Sequence, residues 1–223
     1  MGLVAIPPKE WKVTVTEKGK EVSCTIVLVN MSSLTEKQVA LLVKQTKKDF
    51  EKYFSGKDVS ATLNVKVINH PTAKQAAALM ANPQKTIYVA LFDGIGKKNE
   101  EGNVTGGAAM MYDGGSQANA IPIFTGDQDR RYSIWTLSNV INHELGHTGG
   151  LQHVWQRGST ADARMDINKA KQDSNVTDNL MNSEENPNVG DRPSQNGDPL
   201  IEKERTVTEG QKNKVIETVE HEQ

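Results

Sequence analysis

The spacing of hydrophobic positions along this chain switches repeatedly between two periods. Residues 21–30, EVSCTIVLVN, are rich in β-branched side chains and read as a strand. Residues 33–54 then place Val39, Leu42, Thr46, Phe50 and Tyr53 at spacings of three and four, which predicts a helix with one buried face. The stretch SSLTE opens it with a capping box, Ser33 as the cap and Glu36 three residues on. Residues 61–68, ATLNVKVI, alternate as a half-buried strand does. A short helix follows in PTAKQAAALMANP, closed by Asn82 and Pro83. Residues 86–92, TIYVALF, are continuously apolar and predict a central strand. Strands alternating with helices point to an α/β fold with mostly parallel neighbours.

From Asp93 the pattern loosens. DGIGKKNEEGN is a loop, TGGAAMMYDGG a short strand that begins with small residues, and ANAIPIF another, whose Pro122 suits an edge or a bulge. Residues 133–149 return to the helical period. Ser133 is a plausible cap, and Ile134, Leu137, Ile141 and Leu145 form a stripe expected to pack on the sheet. Residues 156–203 are rich in Asn, Asp, Ser and Gly and read as a long loop, with one short helix near 161–171; loops of that length usually carry function or are disordered. Residues 206–222 predict a closing helix with Val215, Ile216 and Val219 as its contacts. No internal repeat is visible, and the 223 residues are read as one domain.

Composition narrows the possible classes. Net charge is −2, and lysines and glutamates are interspersed, which argues against a nucleic-acid surface. No apolar run approaches the ~18 residues of a membrane span. The single cysteine excludes an internal disulfide and a cysteine-rich zinc site. Cys24, inside the first strand, is expected to be a buried, inert thiol rather than a nucleophile or a metal cap. MGLVAIPPKEW lacks the basic start and apolar length of a signal peptide, so either the chain is cytoplasmic, or it leaves by another route, or it is part of a longer precursor.

The chemistry concentrates in INHELGHTGGLQH, residues 141–153, which hold three of the chain's five histidines. On a helix at about 100° per residue, His143 lies roughly 200° round from Ile141, away from the apolar stripe. His147 sits one turn further on the same side, so the two imidazoles can share one metal ion. A continuing helix would carry His153 away. Gly149 and Gly150 can end it and turn the chain back, because glycine takes a left-handed backbone at little cost. Three neutral ligands leave a fourth position open, the layout of a catalytic zinc. Glu144 points along the helix wall and is free to serve as general base to a water acidified by the metal, then as acid to the leaving amine. An alternative from another class is a zinc-stabilised, non-catalytic binding module, or an effector or toxin domain of a larger secreted protein.

HELGHTGGLQH fills every fixed position of HExxHxxGxxH, and DNLMN follows downstream. In these residues the chain resembles the metzincin zinc peptidases. The resemblance implies a zinc endopeptidase with His143, His147 and His153 as ligands of one catalytic ion, Glu144 as base, Gly150 at the turn, and Met181 in a methionine turn beneath the metal. It also implies a metzincin-like zincin fold: a twisted five-stranded, mostly parallel sheet with an antiparallel edge strand, an active-site helix and a C-terminal helix. The cleft would separate an upper subdomain, 1–150, from a lower one, 151–223. Peptide or protein substrate would lie extended against an edge strand, for which Gly106, Gly107, Ala108 and Ala109 in TGGAAMMYD are the candidates. Secretion is a further expectation of the resemblance; the motif variant and the Asn-rich tail point to a bacterial source, and a monomer is expected.

The match has departures. Ser183 stands where several metzincin groups carry a tyrosine, and Val154 stands where the adamalysin group has aspartate. TGDQDRR and ADARMD carry acidic groups but lack EF-hand spacing, so calcium is unsupported and solvated loop is the favoured reading. His70 reads as a turn residue, His221 as solvated, and Trp135 and Trp155 as packing residues beside the motif.

Overall fold

The computed structural model describes residues 10–80, 86–95, 120–126, 131–154, 159–163, 179–181 and 205–222. In chain order the elements are β1 (Trp11–Thr16), β2 (Gly19–Asn30), α1 (Glu36–Phe54), β3 (Val59–Asn69), α2 (Ala73–Met80), β4 (Ile87–Ile95), β5 (Ala120–Gly126), α3 (Ile134–Thr148) and α4 (Glu209–Glu222). The fold is mixed α/β, with a five-stranded mixed sheet and four helices among the described residues.

The sheet is organised around β2. A strand has two hydrogen-bonding edges, and β3 fills one of them in parallel from Lys20 to Asn30. The other edge is shared: β1 pairs antiparallel with Gly19–Cys24, and β4 pairs parallel with Ile26–Asn30. β5 then continues in parallel beyond β4. Pro122 lies opposite Ala90 on this last of the described strands. β1 is an element the hydrophobic pattern did not announce, since WKVTVT buries Trp11 but leaves Val15 75% exposed. It is also the antiparallel strand of the described sheet. The stretch 105–115, with Gly106 to Ala109, lies outside the described residues.

Two further expectations are corrected. Helix α1 begins at Glu36, and its cap is Thr35: the Thr35 hydroxyl accepts the Gln38 N–H at 3.3 Å and Gln38 Oε1 accepts the Thr35 N–H at 2.9 Å. The Ser33–Glu36 box does not form because Ser33 is engaged elsewhere, donating its N–H (2.7 Å) and hydroxyl (3.0 Å) to the Asp93 carboxylate at the end of β4. Helix α3 starts after its Ser133 cap as expected, but its main partner is α1, not the sheet. A polar seam fixes that pair within an otherwise apolar interface. The Asp49 carboxylate accepts from the Ser138 hydroxyl, Tyr53 Oη donates to Asn139 Oδ1 at 2.6 Å, and Asn142 Nδ2 donates to the Ser138 and Thr46 carbonyls. Groups this buried hold one register only, because any slip leaves them unpaired. Burial, with Asp49 adding to it, raises the Tyr53 phenol well above its ordinary range, so it stays a neutral donor.

The core joins Val22, Cys24, Ile26 and Leu28 of β2 to Leu42, Phe50 and Phe54 of α1 and Leu137, Ile141 and Leu145 of α3. Trp11 packs tilted against Phe50 and edge-to-face against Phe54, at centroid distances of 5.5 and 5.8 Å. Cys24 is fully buried, and burial, followed by the charge of Glu10, pushes its thiol well up. That is the inert thiol expected.

Candidate metal centre

Helix α3 supplies His143 and His147 one turn apart, and its C-terminus decides where His153 goes. The Leu151 N–H donates to the Gly146 carbonyl and the Gly150 N–H to the His147 carbonyl, both at 3.0 Å. These are the two bonds of a Schellman motif, with Gly150 as the left-handed residue at φ 90°. Gly149 is the cap, at φ −83°, so only the second glycine of the pair takes the unusual conformation. A side chain at Gly150 would also run into Thr218 of α4, whose Cγ2 lies 2.8 Å from the position a Cβ would take. The turn reverses the chain, and Val154 N–H then bonds the Met181 carbonyl at 3.2 Å, fixing the segment that carries His153.

The three imidazoles converge. Nε2 of His143 lies 3.2 Å from that of His147 and 3.2 Å from that of His153, and the remaining pair is 3.0 Å apart. Their other ring nitrogens point outwards: His143 Nδ1 is 2.6 Å from the Leu180 carbonyl and His147 Nδ1 is 2.9 Å from the Leu151 carbonyl. A carbonyl oxygen only accepts, so both Nδ1 atoms carry the hydrogen. In the neutral rings both Nε2 atoms are then bare lone pairs. Two lone pairs facing each other across 3.2 Å repel unless a cation lies between them. A proton is a poor candidate. Burial is the first cause lowering the affinity of all three rings for protons, reinforced at His143 by its two neighbours and the Arg205 cation, and it brings His153 down to about 3. The three histidines are close enough to bind one metal ion.

The segment 179–181 completes the support. Leu180 gives its carbonyl to His143, and Met181 its carbonyl to Val154, so one short stretch steadies two of the converging rings. Asn179 closes this turn on itself by accepting the Met181 N–H at 2.9 Å. Its side chain also exchanges two hydrogen bonds with buried Gln211 of α4, at 2.9 and 3.1 Å. Met181 is fully buried under α3, and a Cβ on Gly146 would lie 2.6 Å from its sulfur. Met181 thus packs against α3 at Gly146, between His143 and His147. Gly146, Leu151, Leu180, Asn179 and Gln211 were not picked out as site residues. Gly146 did leave a signal, since a glycine inside an apolar-periodic helix marks close packing.

Glu144, on α3 beside the first histidine, is 6% exposed, and Arg205, just before α4, is equally buried. Asp162, in the ADAR stretch considered for calcium, caps the start of α4: its carboxylate accepts the Gly210 N–H at 2.7 Å and the Thr160 hydroxyl at 2.8 Å. Slight burial pushes the pKa of its carboxyl up, but these bonds win and hold it below the usual carboxylate range. Gly106 to Ala109, Trp155 and Ser183 lie outside the described residues. Among the described residues no helix is long and apolar enough to cross a membrane. The chain matches no protein-family model, and a search of curated proteins finds no similar sequence.

Proposed function

We propose that this protein is a zinc-dependent endopeptidase. The observation that carries the reading is the triangle of Nε2 atoms at 3.0–3.2 Å, two of them with lone pairs fixed inwards by backbone carbonyls. Tetrahedral zinc with nitrogens at 2.0–2.1 Å requires neighbouring nitrogens ~3.3–3.4 Å apart. The donor set therefore fits with only a small outward movement of the rings. Imidazole suits zinc, and the carbonyl partners of His143 and His147 are the usual second layer that orients such ligands. Open-faced zinc supplies Lewis acidity, polarising a carbonyl and making water a nucleophile near neutral pH.

The protein's own groups divide the remaining work. His143, His147 and His153 hold the ion while neutral, which their resistance to protonation preserves well below pH 7. Glu144 accepts the proton of the attacking water and passes it to the nitrogen of the departing amine, so no covalent link to the protein forms. Met181 and the Schellman turn keep the ligands in place while proton and substrate move.

The test is cleavage of a diverse peptide pool, read by mass spectrometry, using wild type and Glu144→Ala with matched zinc content. Cleavage by the wild type alone is expected. Equal cleavage by both would remove Glu144 from the mechanism. No cleavage by either, with zinc bound, would favour a zinc-stabilised binding module.

A further inference from the structure

We infer that Trp11, at the far end of the chain from the motif, is a positioning residue for the metal centre and acts through Thr148. This rests on the reading of the three histidines as a metal centre. The Trp11 indole N–H donates to Thr148 Oγ1 at 2.9 Å, across 137 positions of sequence. The Thr148 hydroxyl donates in turn to the Leu145 carbonyl at 2.8 Å, which also accepts the Gly149 N–H at 3.0 Å. The apolar edge of the same ring closes on the turn, with Cζ2 3.3 Å from where a Cβ on Gly149 would stand, and Val215 of α4 closes on it at 3.3 Å.

The last turn of a helix is where its backbone frays, because its carbonyls lack helical partners. In α3 that turn carries His147 and launches the reversal to His153. Fraying there would leave His143 in place and set the other two rings adrift. The relay Trp11–Thr148–Leu145 holds the last turn closed from outside. A ring that merely filled the core beside Phe50 and Phe54 could be phenylalanine as well. What distinguishes tryptophan is the N–H, and it is spent on the helix end.

Thr148→Val keeps the branched shape and removes the hydroxyl, while Trp11→Phe keeps a ring and removes the N–H. Cobalt(II) is titrated into each metal-free protein and followed by its visible absorption, at a temperature where circular dichroism shows every variant folded. Each single change is expected to weaken cobalt binding about tenfold, the low end for groups that support ligands from outside. The double variant is expected to lose no more than either single one, because both break the same relay. Lower melting temperatures with unchanged cobalt affinity would show a purely structural role and overturn the inference. Additive losses in the double variant would overturn the relay. Absence of cobalt binding in the wild type would overturn the metal centre itself and this inference with it. Wild-type binding with unaffected variants would overturn this inference alone.

Discussion

Gly146→Ala puts the packing of the centre under direct strain. In an unhindered helix interior this change stabilises by about 1 kcal/mol, because alanine restricts the unfolded chain and suits the helix. Here the new methyl would stand 2.6 Å from the sulfur of Met181, closer than real contacts come. Met181 is fully buried, so its side chain has no open solvent to move into. Overpacking of this kind costs about 1–3 kcal/mol. The sum runs from no change to a net loss of about 2 kcal/mol, never the ordinary gain. The strain also has a direction. Displacing Met181 moves the Leu180 carbonyl from His143 and the Met181 carbonyl from Val154, so two ligands lose their orientation together. Zinc affinity is then expected to fall about 10- to 100-fold. Urea unfolding of the metal-free protein measures the first effect and competition with a chromophoric chelator the second. A Gly146→Ala protein that is about 1 kcal/mol more stable, with unchanged zinc affinity, would refute the placement of Met181 beneath the helix.

Gly150→Ala forces a left-handed backbone at φ 90° on a residue with a side chain and drives it into Thr218, so a loss of about 1–3 kcal/mol is expected in urea unfolding. Adding Thr218→Ala should recover only the part due to the clash, and an unaffected single variant would contradict the turn. The metal-free protein should lose stability as pH falls below about 6.5, the unperturbed histidine value. All three rings have lowered proton affinity in the fold, so the unfolded chain binds more protons across the window from there down to about 3, where His153 titrates. Each ring contributes up to ~1.4 kcal/mol per pH unit, and above the window the contribution is constant. Unfolding midpoints measured with chelator present should show a shallower acid slope in His153→Ala, and identical slopes would count against the burial of that ring. Zinc at about 100 times its dissociation constant should add ~2.7 kcal/mol to stability, seen as a higher melting temperature that a chelator reverses. No shift would mean the folded and unfolded chains bind zinc alike.

Much of the architecture was legible in the order of periodic segments. The strand rich in valine and isoleucine, the helix carrying Leu42 and Phe50, and the helix carrying Leu137 and Ile141 all stand where their spacing placed them, because each must bury one face. What escaped was information that local spacing does not hold. The cap of α1 moved from Ser33 to Thr35 because Asp93, distant in sequence, claims Ser33. β1 was missed since its pattern is too polar to stand out until Trp11 finds Phe50 and the end of α3. At the centre the histidine spacing was readable, as two histidines one helical turn apart and a glycine turn are local geometry. The outer layer was not. It consists of backbone carbonyls at Leu151 and Leu180, the Asn179–Gln211 pair and the Gly146–Met181 contact, and carbonyls have no letter of their own in a sequence.

Those supports are also what make the centre more than three neighbouring side chains. They fix the tautomers, direct two lone pairs inwards and tie the three histidines to α4 as well as to α3. Zinc bound per chain therefore tests the account most directly, measured by native mass spectrometry on wild type, His153→Ala and Glu144→Ala after dialysis against limiting zinc. The account predicts one ion on the wild type, one on Glu144→Ala and a severe loss on His153→Ala. A wild type without zinc, or a His153→Ala protein that keeps it undiminished, would contradict the three-histidine centre.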